Sequence, residues 1–222
     1  MDQAFELFDI VRIDHFRAFD RFFAIPQEST TAKDGEWMEG PGIDLFEALG
    51  RRPIVAEDLG VIDNGVRKLL KATRYPGMKV LLFAFDGNEK NDYLPSNIRI
   101  ANCVAYTGTH DNEPLRAFLD SMEEKKRKEF EETLEKECLA ADVPYITETT
   151  EDECKTMIEL LASTKANTVI VPMHDVLCLG EEARLNVPSA VSENNWTFRI
   201  LESDFKRRKA AWLKDLTQMY NR

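Results

Sequence analysis

The chain of 222 residues carries 29 Lys and Arg against 40 Asp and Glu, a formal net charge of −11. That balance repels phosphate backbones, and no apolar run reaches the roughly 18–20 residues that span a bilayer, so neither nucleic acid nor a membrane is expected as a partner. With 43% hydrophobic and 31% charged residues, the composition is that of a globular protein with a sizeable core.

The N-terminal stretch MDQAFELFDIVRIDHF is acidic and amphipathic and lacks the basic and apolar regions of a signal peptide. Cys103, Cys138, Cys154 and Cys178 lie far apart, with no C-x-x-C spacing, and read as reduced thiols in a cytoplasmic protein. Short strand-like runs then alternate with helical stretches. The first run is Phe8–Asp14, followed by a long loop with Gly35, Gly40, Pro41 and Gly42, then a short helix over Ile43–Leu49. A second run, Pro53–Glu57, leads to a helix over Asn64–Thr73. Met78–Phe85, Asn102–Thr107 and Asn167–Pro172 complete the set of five. Between the last two, Asp120–Glu137 holds 13 charged residues in 18 and reads as a solvated helix, and Thr150–Ser163 is amphipathic. No stretch rich in Gly, Ser or Pro divides the chain into domains.

Each run ends at or just before a carboxylate: Asp14, Glu57, Asp86, Asp111, Asp175. Such a rim favours part of a (β/α)₈ TIM barrel over a doubly wound sheet, because barrels collect their chemistry at the C-terminal ends of several strands. Strand alternation puts Arg12 and Asp14 on one face, and Val55 and Glu57 likewise share one. Carboxylates converging on one rim suit a retaining glycosidic mechanism, in which one attacks the anomeric carbon and a second gives and takes a proton. Arg12 beside Asp14 would keep a nucleophile ionised, and Glu57 is the candidate acid/base. The three histidines, His15, His110 and His174, each adjoin an aspartate, which would suit a metal-dependent hydrolase. No H-E-x-x-H spacing supports that, and no dinucleotide, P-loop or G-x-S-x-G motif is present.

Three stretches in order, Val11–Arg17 (VRIDHFR), Ile54–Gly60 (IVAEDLG) and Tyr106–Asn112 (YTGTHDN), resemble the amylomaltases, the 4-α-glucanotransferases of the α-amylase clan. Gly35-Glu36-Trp37, Tyr75–Val80, Glu182–Pro188 and Asn195–Arg199 carry the likeness over nearly the whole chain. The resemblance implies that residues 1–222 are the C-terminal half of a catalytic barrel, strands four to eight, with a helical insertion at about residues 115–165. It implies transfer of α-1,4-glucan segments between maltooligosaccharides, with no metal or organic cofactor. It makes Asp14 the nucleophile, Glu57 the acid/base and Asp111 the third, transition-state-stabilising carboxylate, with Arg12 and His110 binding substrate. Where the family usually carries His, Gln and Gly, this chain has Ser96, His174 and Ser189. A half-barrel leaves strand four with an unpaired edge, so a complementary N-terminal half or self-association is expected. The alternative is an inactive remnant that binds glucan or that other half.

Overall fold

The computed structural model describes residues 1–60 and 62–222. It is an α/β structure with parallel strand pairing, in two compact units, Met1–Met78 and Lys79–Arg222.

In the first unit, α1 (Asp2–Leu7) leads into β1 (Val11–Ile13), a hairpin of β2 (Arg21–Ala24) and β3 (Glu36–Glu39), α2 (Gly42–Leu49), β4 (Ile54–Ala56) and α3 (Asn64–Thr73). β1 and β4 pair in parallel, Val11 with Ile54, Arg12 with Val55 and Ile13 with Ala56. The expected long loop is instead this antiparallel hairpin, with Phe23 opposite Trp37. Its two strands are largely exposed and so show no apolar alternation, while the Ser, Thr and Gly residues of its turn read as loop. The helix over Asn64–Thr73 begins where the sequence indicated. Asp63 caps it, its Oδ1 accepting from Gly65 N–H at 2.9 Å and Val66 N–H at 3.2 Å. Those bonds, with Arg21 and Arg17 nearby, hold the Asp63 carboxyl below its ordinary range. Phe16, Phe46, Ala56, Val66 and Leu69 form the core beneath, where the Phe16 and Phe46 rings lie 5.4 Å apart.

The second unit takes in the end of β5 (Gly77–Val80) and contains β6 (Cys103–Tyr106), α4 (Leu115–Asp120), α5 (Glu124–Ala141), α6 (Thr150–Ala162), β7 (Thr168–Ile170), α7 (Met173–Leu177) and α8 (Arg207–Met219). Its sheet runs β5-β6-β7, with β6 and β7 parallel in the register Ala105 to Val169. The strand expected over Met78–Phe85 stops at Val80. Leu81–Phe83 turn as a 3-10 helix, a choice that a short apolar run does not reveal. Phe85, Phe118 and Phe130 pack as a ring cluster, the closest centroids 4.6 Å apart. The charged stretch is the solvated helix α5, which turns Phe130, Leu134 and Cys138 inward. α8 carries no motif that sequence reading caught, and it is tied to α6 by Lys209 to Glu151 at 3.0 Å. Among the described residues no helix is long and apolar enough to cross a membrane.

Candidate active site

Of the five expected strand-end carboxylates, Asp14 and Glu57 directly follow parallel strands, β1 and β4. Glu57 N–H donates to the Ile13 carbonyl at 2.9 Å, which continues the register by one residue and sets Asp14 opposite Glu57. The next rung slips. His15 takes the left-handed conformation, φ 49° and ψ 52°, and Phe16 N–H rather than His15 N–H reaches the Glu57 carbonyl, at 3.0 Å. The freed His15 N–H turns to the Glu57 side chain and donates to Oε2 at 2.7 Å. Leu59 N–H donates to Oε1 at 2.9 Å, so both carboxylate oxygens are held by backbone. A one-residue bulge thus aims a carboxyl group, a use to which bulges near sites are often put.

Arg12 and Asp14, side by side on one strand face, form an ion pair at 2.8 Å. Arg12 Nε also lies 3.3 Å from the Met78 sulfur, which fixes the guanidinium from behind. Asp14 is 76% exposed, open to a ligand. Beyond Glu57, Asp58 Oδ1 accepts from Met78 N–H at 2.6 Å, joining the end of β4 to the start of β5 within the first unit.

His110 and Asp111 belong to the second unit. They sit on residues 108–114, within the segment joining β6 to α4. Asp111 Oδ1 accepts from Asn186 Nδ2 at 2.7 Å, its carbonyl accepts from Arg184 Nη2 at 3.2 Å, and His110 Nε2 lies 3.4 Å from Oδ2. Arg184 also pairs with Glu113 at 3.5 Å. The Trp196 ring packs on the His110 ring with centroids 5.3 Å apart. Beside Arg184 opens a cavity of about 410 Å³ whose lining includes Asn194, Asn195, Thr197 and Phe198. Sequence reading missed Asn186, Arg184 and Trp196 as partners of this pair, because contacts across some seventy residues leave no local pattern.

Two other expected rim acids do not stand at strand ends. Asp86 follows the 3-10 turn, and its Oδ1 accepts from Asn88 N–H at 3.0 Å. A side-chain bond from Asn91 first, and then this one, holds the carboxyl of this turn former below its ordinary range. Asp175 lies inside α7, 2% exposed, and accepts from Thr107 Oγ1 at 2.5 Å and Leu115 N–H at 2.8 Å. Burial pushes its carboxyl up and pushes the neighbouring His174 imidazole, 3.6 Å away, down. The histidines do not gather: among the described residues no three His, Cys, Asp or Glu side chains form a metal-ligand set. The unusual Ser96 is bonded through N–H and Oγ to both oxygens of buried Glu137, each at 2.8 Å. Ser189 adopts φ 61°, the region that favours glycine.

Longer proteins resemble this chain over nearly its whole length. A 4-alpha-glucanotransferase from Clostridium butyricum is 40% identical over 98% of this chain, which covers 43% of that protein. A chloroplastic/amyloplastic 4-alpha-glucanotransferase of Arabidopsis thaliana is 39% identical over 99% of the chain and 37% of its own length. The solved amylomaltase from Streptococcus agalactiae, in complex with acarbose, superposes on the whole chain and on 43% of its own, with a TM-score of 0.87 and 32% identity. The chain therefore spans less than half the length of each of these relatives. A family model described as 4-alpha-glucanotransferase matches residues 1–204, nearly all of the strands and loops just described, and on that match the chain belongs to the 4-alpha-glucanotransferase family.

Proposed function

We propose that the chain carries the transfer chemistry of its family: an α-1,4 bond in a maltooligosaccharide is broken and the released segment is joined to the 4-hydroxyl of another, with retention. The observation that supports this most directly is the β1–β4 pairing, which sets Asp14, paired with Arg12, opposite backbone-held Glu57. A retaining mechanism uses two carboxyl groups roughly 5–5.5 Å apart, a pair that two neighbouring strand ends can supply. In this reading Asp14 attacks the anomeric carbon while the departing sugar oxygen takes the proton of Glu57. The acceptor hydroxyl then gives its proton to Glu57 as its oxygen displaces Asp14. In the same reading Asp111 holds sugar hydroxyls, and Arg12 and His110 bind substrate. These steps need neither metal nor organic cofactor.

The same reading takes β1, β4, β5, β6 and β7 as strands four to eight of a (β/α)₈ barrel, with the helices of about residues 115–165 as an insertion. β1 pairs only with β4 among the described residues, and its other edge is where the remaining strands of a barrel would join. The four buried cysteines, none of them in a disulfide, fit a reducing cytoplasm.

Reaction with an activated fluoro-sugar tests the roles. Mass spectrometry should find the label on the peptide containing Asp14, with Asp14→Asn unlabelled and Glu57→Gln slowed in both half-reactions. Label on Glu57 or Asp111 would overturn the assignment. With maltotriose, a complete enzyme carrying these residues should give glucose plus a ladder of longer chains, sensitive to acarbose. Glucose and maltose alone would make it a hydrolase.

A further inference from the structure

Asp111 is held at three levels, and only two of them lie near it. Within residues 108–114 a tight turn sets the local shape: Thr109 N–H donates to Asn112 Oδ1 at 2.8 Å, and Asn112 N–H to the Thr109 carbonyl at 3.2 Å. From outside, Asn186 and Arg184 hold the Asp111 side chain and carbonyl. The third level is where the segment leaves the sheet and enters the helix. Thr107 is the residue before the segment and Leu115 the residue after it, and one carboxylate, Asp175, receives a bond from each.

Several features separate this from an ordinary helix cap. Pro114, at the N-cap position of α4, offers no side-chain acceptor, so the first helical N–H depends on a residue sixty positions away. Thr107 is wholly buried and Asp175 nearly so, and no water can take over either bond if the carboxylate is lost. The segment between them is long for a strand-to-helix connection, so its ends need fixing as well as its tip. Asp175 is itself held in α7, whose start is set by its own N–H donating to the Pro172 carbonyl at 3.0 Å.

We infer that Asp175 is the positioning residue of the 108–114 segment: by clasping Thr107 and Leu115 it fixes both ends, and thereby the place of His110 and Asp111. The catalytic consequence rests on the proposed glucan transfer, whereas the clasp itself does not. A displacement of about 1 Å in a catalytic group can cost on the order of 10²-fold in rate, so loosening the clasp should act on turnover.

The test uses two variants that break the clasp from opposite sides, Asp175→Ala and Thr107→Val, and one that preserves it, Thr107→Ser. Hydrogen exchange read by mass spectrometry on the 222-residue chain should rise about 10-fold or more over residues 108–114 in the first two. It should stay within about 3-fold of the parent in Thr107→Ser, and the amides of Leu160 and Leu161 in α6 should not change in any of them. Should Asp175→Ala fail to fold, Thr107→Val gives the same reading. Unchanged exchange over 108–114 in the folded variants overturns the proposal. Maltotriose disproportionation supplies the second readout. There kcat should fall about 10- to 100-fold in the clasp-breaking variants while KM moves less than about 3-fold, and Thr107→Ser should recover kcat. Faster exchange with kcat unchanged would overturn the positioning role in catalysis. A parent chain without transfer activity even when supplied with the N-terminal half of a related enzyme, in which the variants still exchange faster, would overturn the glucan-transfer reading and leave the clasp supported.

Discussion

His15 holds φ 49° and ψ 52°, a conformation that costs an ordinary residue roughly 1–2 kcal/mol and a β-branched one more. The strain is compensated locally, since the turn frees the His15 N–H for the Glu57 carboxylate. His15→Val should therefore lower the unfolding free energy by about 1–2 kcal/mol, and His15→Gly should leave it within about 0.5 kcal/mol of the parent, both measured by urea unfolding. Equal destabilisation by Val and Gly would show that the imidazole, rather than the backbone, matters at this position. The placement of Arg12, Asp14 and Glu57 was largely legible in the sequence, because they stand within or just past short apolar strands whose alternation fixes their faces. The bulge that aims Glu57 was not legible. A His with positive φ leaves no mark in a sequence, whereas Gly or Asn would have.

Among the elements, α6 is the hub of the second unit, and its ends are held by charge. Glu151 in its first turn pairs with Lys155 at 3.0 Å and with Lys209 of α8 at 3.0 Å. These bonds, the one from Lys155 first, bring its carboxyl down to about 2 from an ordinary 4.5. A depressed carboxyl stabilises the fold above its unfolded pKa, and that contribution is lost as pH falls through the folded one. The window is thus about pH 4.5 down to 2. Taken at face value the shift is worth about 3 kcal/mol, and solvent screening of a one-third-exposed group reduces this to about 1–2 kcal/mol. Glu151→Gln should be destabilised by that amount at pH 6, and its deficit should shrink as both proteins are unfolded at successively lower pH. A constant deficit from pH 6 to pH 3 would contradict the assignment. Helices with clear caps, such as α3 after Asp63 and α6 after Thr149, were legible to within a residue. The exposed hairpin of β2 and β3, the early end of β5, and α8 were not, because nothing local distinguishes an apolar run that stays a strand from one that turns into a helix.

At the scale of the molecule, β1 presents an edge with no strand on it among the described residues, and Leu7, Phe8 and Ile10 just before it are each more than 60% exposed. Bare edges bordered by apolar side chains promote association. The 222-residue chain alone should run larger than a monomer in light scattering, and Ile10→Lys should shift it toward monomer without lowering its melting temperature. A monodisperse monomer at tens of micromolar would refute this. The parallel joining of β1 to β4 has a second consequence, which concerns time rather than surface. Ala24 meets Glu36 across a short hairpin, whereas Val11 must wait for Ile54. During synthesis the hairpin closes as soon as its turn has left the ribosome, while β1 remains without a partner until β4 emerges. Loop closure over that longer stretch makes the pairing that sets Asp14 opposite Glu57 one of the late events in folding of the first unit.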